Sequence, residues 1–208
     1  MNIRLRPMLI LAFTTLTVSC GVIWPLKPTP TPLPGWRSPV SDLLVDESAF
    51  PEGWSILHPE DTSTDPTVNH VGRRWGRVGV SGTIAQGIWR AYTTADAEEK
   101  YDELRASQFQ PGRPSPYNVF VPFALPPEIG FQSQVADEFY LACGWWGEAY
   151  CGVVARYRNY VVYMRLEREA ECEGHVTHGL TYAEIESVVR AMDAKFVEVM
   201  EAFYPGTD

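Results

Sequence analysis

Three cysteines and two histidines crowd the last third of this chain, and they are its side chains best suited to chemistry. Cys172, His175 and His178 fall within seven residues, with Glu171 and Glu173 alongside. Thiolate and imidazole at that density suit zinc, but a closed structural site takes four ligands. The set therefore reads as an exposed loop, and no metal or other cofactor is expected. Cys143 and Cys151 offer a different chemistry. A bridge between them closes residues 144–150, and so short a closure contributes about 2 kcal/mol. That loop carries Trp145 and Trp146. A loop position leaves at least one ring exposed, which makes the pair the leading candidate contact surface.

Acid–base and nucleophilic chemistry find less. Asp137, Glu138 and His178 are the residues on which a hydrolase acting on a glycan would draw, and a raised carboxylate pKa in a cleft would mark it. Gly79-Val80-Ser81-Gly82 lacks the Gly-x-Ser-x-Gly spacing of a nucleophile elbow. No Gly-rich phosphate loop precedes a helix, and no Cys-x-x-Cys pair is present. The expectation is a chain that is not an enzyme.

The N-terminus says where these residues work. Arg4 and Arg6 precede an uncharged, mostly apolar run over 8–18, which leads through Ser19 to Cys20. Charge, apolar core and small residues are the layout of a secretory signal peptide. A run of about 11 residues is too short to span a bilayer as a helix. A cysteine at the first mature position resembles a bacterial lipoprotein, with Ser19 and Gly21 both compatible; Thr17 stands where that pattern usually has leucine. The resemblance implies acylation of Cys20, palmitate included, and a chain tethered to the extracytoplasmic face of the cell membrane. Secretion with a free Cys20 is the alternative. Prolines alternating over 25–34 favour an extended stalk that lifts a domain off the membrane.

The 208 residues thus divide into a signal peptide (1–19), a lipidated cysteine with a proline-rich linker (20–40) and one domain (41–208). Hydrophobic content of 45% against 21% charged residues suits a folded core. Removing Arg4 and Arg6 leaves 15 basic against 26 acidic residues, a net charge of -11. That balance opposes nucleic acid as a partner of the domain. With Cys20 acylated, three cysteines remain, which accounts for one disulfide and one spare thiol in an oxidising compartment.

Strands are expected over 68–77, 83–92, 135–143, 150–157 and 160–167, from alternating apolar residues and turn signals between them. Arg158-Asn159 makes a tight connection, with Asn supplying the positive φ. One helix starts at Asp96, with Glu99 three residues on, and a second at Thr181, with Glu184 three residues on. Ile185, Val188, Val189, Met192, Phe196, Val199, Met200 and Phe203 give the second helix a broad apolar stripe. The proline-rich segment 110–130 reads as a long loop with a short edge strand over 118–123. Its Tyr117, Phe120 and Phe123 either wall a pocket or anchor the loop on the core. The order predicts an α+β domain: a largely antiparallel sheet of about five strands with two helices on one face.

Cys151-Gly152-Val153-Val154-Ala155-Arg156-Tyr157-Arg158-Asn159-Tyr160-Val161-Val162, followed by a long helix ending Ala194-Lys195-Phe196, resembles the C-terminal half of the PknH-like extracellular domain. That family covers kinase sensor domains and lipoproteins of bacteria. The resemblance spans about 50 residues. It implies a sheet with packed helices, a ligand-binding or sensing role outside the membrane, and a disulfide, for which it offers Cys151–Cys172 beside Cys143–Cys151. The sequence is accordingly read as an exported, lipid-anchored binding or sensor module whose partner is a small ligand or an envelope protein. A glycan hydrolase and a non-binding scaffold lipoprotein are the alternatives.

Overall fold

Period-two burial organises the centre of the molecule. The computed structural model describes residues 40–58, 69–78, 82–109, 120–172 and 174–203. Seven strands form one sheet: β1 (Trp54–His58), β2 (His70–Arg77), β3 (Thr83–Arg90), β4 (Phe120–Ala124), β5 (Glu138–Trp146), β6 (Glu148–Tyr157) and β7 (Tyr160–Glu167). Their order is β1-β2-β3-β7-β6-β5-β4, and every neighbouring pair is antiparallel. A small hairpin of β8 (Ala170–Cys172) and β9 (His175–Thr177) follows. Two helices, α1 (Thr94–Gln108) and α2 (Tyr182–Phe203), complete an α+β fold.

The helices pack on opposite faces of the sheet, not on one. Val153, Ala155 and Tyr157 of β6 and Val162, Met164 and Leu166 of β7 share a core with Ile185, Val188, Val189, Met192 and Phe196 of α2. The intervening Val154 and Val161 pack instead with Ala97, Tyr101 and Leu104 of α1. Strands that are apolar on both sides need a cover on each. The short 3-10 segments Val40–Leu43 and Glu47–Ala49 lie on the α2 side, where Val40, Leu43, Leu44 and Val45 join the larger core.

Local chemistry sets the element ends. Thr93 caps α1: its hydroxyl accepts from the Asp96 N–H at 3.1 Å, and the Asp96 carboxylate accepts from the Thr93 N–H at 3.2 Å. Asp96 is thus the third residue of the helix, not its cap. At α2 the expected Thr181–Glu184 box is present, with Thr181 N–H to Glu184 Oε2 at 2.7 Å. In the β6–β7 turn it is Arg158 that takes positive φ (57°), while Asn159 donates its side-chain amide to the Ala91 carbonyl at 3.1 Å.

Two expectations about extent also change. β1 is not among the expected strands; Trp54 opens it, paired with Arg77 of β2. β5 and β6 continue past the cysteines to Trp146 and Glu148, joined by Gly147 at φ +71°. The predicted loop 144–150 is therefore the end of a hairpin.

Candidate functional site

Cys143 and Cys151 sit directly opposite one another on β5 and β6 and are joined by a disulfide, which leaves Cys172, on β8, as a free thiol. Trp145, two residues beyond Cys143, is 2% exposed. It packs with Ala149 under Ala170 and Cys172 of the small hairpin. Trp145 is thus a core residue beneath β8 and not half of an exposed pair. The alternation of β5 explains this, since it places Trp145 on the same face as Leu141 and Cys143. Trp146 pairs through its backbone with Phe120 and Glu148. Tyr117, Cys20 and the side chains of Phe120 and Trp146 lie outside the described residues.

The opposite face of the same hairpin carries a shelf of rings. Phe109, Phe123, Tyr140 and Tyr150 form a chain of contacts, with centroids 5.6 Å apart for Phe109–Phe123, 4.8 Å for Phe109–Tyr140 and 4.9 Å for Phe123–Tyr150. Glycines give them room. A Cβ on Gly152 would meet a Phe109 ring carbon at 2.5 Å, and one on Gly144 would meet the Phe123 ring at 2.9 Å. Phe123 therefore anchors the segment after the proline-rich stretch onto the sheet. Two guanidinium groups cover the shelf. Arg105 lies 4.7 Å from the centroid of Tyr140, and Arg165 lies 4.3 Å from that of Tyr150 while pairing with Glu148 at 2.9 Å. Burial raises the pKa of the Tyr150 hydroxyl and Arg165 opposes the rise.

The residues suited to hydrolysis are engaged elsewhere. Asp137 and Glu138 converge on Arg156, at 3.3 and 2.9 Å, and Asp137 also accepts from the Arg158 N–H at 2.5 Å. His178 is exposed beyond β9. Cys172 opposes His175 in the β8–β9 register, yet among the described residues no group of three or more His, Cys, Asp or Glu side chains comes together to hold a metal. Among the described residues, the carboxyl whose pKa is raised is Glu167, which sequence reasoning missed. It is 4% exposed at the end of β7, accepts from the Thr83 hydroxyl at 2.9 Å, and has its pKa raised chiefly by burial. Its neighbours in sequence are ordinary, and only the register that sets it beside Thr83 accounts for it.

Two open depressions of about 330 Å³ each flank the first turns of α2. One is lined by Ser48, Phe50, Pro51, Glu184 and Ser187, the other by Glu128, Ala183, Glu186 and Arg190. The chain matches no family model, no curated protein and no solved structure. What it can do must therefore be argued from its own geometry. The arrangement offers a cross-strand disulfide, a ring shelf under two guanidinium groups and carboxylates held in ion pairs, which is an arrangement for contact.

Proposed function

We propose that this chain is an exported, lipid-anchored binding or sensor module of the bacterial cell envelope. The observation that carries the reading is the Cys143–Cys151 disulfide, because such bridges persist in oxidising compartments and are rare in the cytosol. The leader ending at Cys20 and the proline-rich stalk supply the route and the tether. Among the described residues no helix is long and apolar enough to cross a membrane, so a tether at Cys20 would carry the attachment. The resemblance to the PknH-like extracellular domain favours ligand capture over a passive spacer. With Trp145 buried, the half-buried rings of Phe109, Phe123 and Tyr140 supply a further contact surface. The carboxylates named for a glycan hydrolase are occupied by Arg156, which lowers the standing of that alternative.

The test is metabolic labelling with palmitate followed by fractionation. The expected result is a labelled, membrane-bound chain, and Cys20→Ser should release it unlabelled. An unlabelled, unprocessed chain in the cytosol would overturn the reading.

A further inference from the structure

Ion pairing divides the arginines of this protein. Arg156, Arg158, Arg165 and Arg190 all pair with carboxylates. Arg73 of β2, like Arg74, Arg77, Arg105 and Arg168, pairs with none among the described residues, in a chain whose net charge is -9. It is half-buried, and its Nε is a buried donor without an acceptor.

Two further donors share its neighbourhood and its deficit. Gln86 of β3 is directly opposite Arg73 and 2% exposed. Its amide oxygen accepts from the Val45 N–H at 2.9 Å, which fixes the orientation of the group and leaves Nε2 buried with no acceptor. Trp75, two residues along β2 on the same face, is fully buried, and its indole Nε1 is likewise unmatched. The Arg73 guanidinium carbon lies 6.0 Å from the centroid of that indole. Each such orphaned donor is costly to bury, more so where the group is charged. Three at neighbouring positions on one face of the sheet, all donors and one of them cationic, suit an acceptor that carries negative charge. A buried water accepts but leaves the guanidinium without a counter-ion. An oxyanion does both, and arginine beside neutral N–H donors is a common way to hold one.

We infer that Arg73, Trp75 and Gln86 form a binding site for a small oxyanion, a carboxylate or phosphate group, entered past Arg73. The site names the ligand class for the binding module proposed above and rests on that reading. Palmitate labelling and fractionation test the export and tether independently of any titration here.

The experiment follows the tryptophan indole and glutamine amide N–H signals of the full chain by NMR during titration with inorganic phosphate and, separately, with acetate. Saturable shifts of the Trp75 and Gln86 signals are expected with at least one of the two, and the tighter probe identifies the oxyanion. Arg73→Gln should weaken binding at least tenfold. Gln86→Glu keeps the oxygen that holds Val45 but replaces the donor by a negative charge, and should abolish binding. Should Gln86→Glu fail to fold, the half-exposed Arg73→Gln still reads the outcome. Linear, unsaturated shifts with both probes, or affinities unchanged in Arg73→Gln, would mean an adventitious ion only, with water on the donors, and would overturn the site.

Discussion

Glu167 shows how a single carboxyl can set the pH response of the domain. Burial raises its pKa above the ordinary value of 4.5 against the lowering effect of its hydrogen bonds with Thr83, with Glu148 adding to the rise and Arg165 opposing it. The folded chain therefore holds this proton more tightly than the unfolded one. The group's contribution to stability is complete below the ordinary glutamate range and is lost as pH rises through the folded pKa. Glu167→Gln should melt higher than the parent at pH 8 and no higher at pH 4, as thermal unfolding at the two values will show. Trp145 makes the second residue-level prediction. Truncating a buried ring leaves a cavity, so Trp145→Ala should cost roughly 3–5 kcal/mol in urea unfolding. An effect under 1 kcal/mol would contradict its place beneath β8.

At the scale of elements, two cross-links carry testable weight. The disulfide ties the β5–β6 hairpin, and replacing both cysteines by serine should lower stability by about 2 kcal/mol, with no change in the far-ultraviolet spectrum at low temperature. The second link joins α2 to the chain before β5. Asp193 accepts from the Tyr157 hydroxyl at 2.7 Å and the Ser133 hydroxyl at 2.6 Å, and the Ser133 oxygen in turn accepts from the Ala136 N–H. Tyr157 also stacks on Phe196 at 4.1 Å. Tyr157→Phe keeps the stacking and removes one hydrogen bond to a charged group, so a loss of roughly 1.5–3 kcal/mol is expected by denaturant titration. The elements themselves were largely legible where burial is periodic. The α2 stripe and the β7 alternation read directly. The helix faces were not legible, because Val153 and Val154 look alike in sequence and only the sheet separates them. Trp145 was misplaced for a related reason: the hairpin extends beyond the disulfide, and Gly147 turns it in a single residue. The Arg73–Trp75–Gln86 cluster left no sequence signal, since β2 and β3 contribute its members from separate strands and their register alone sets Arg73 beside Gln86.

For the whole molecule, the described chain does not begin at the surface. Val40, Leu43, Leu44 and Val45 are each at most 2% exposed, and the 3-10 segment they open packs against β2, β3 and α2. The Val45 N–H is also held by Gln86. The stalk proposed above would therefore join the domain at a buried segment and not at a loose end. A force applied there would first load a buried segment packed between sheet and helix. With the proposed tether and oxyanion site, a pull on the chain before residue 40 and occupancy beside Gln86 would bear on the same Val45–Gln86 contact.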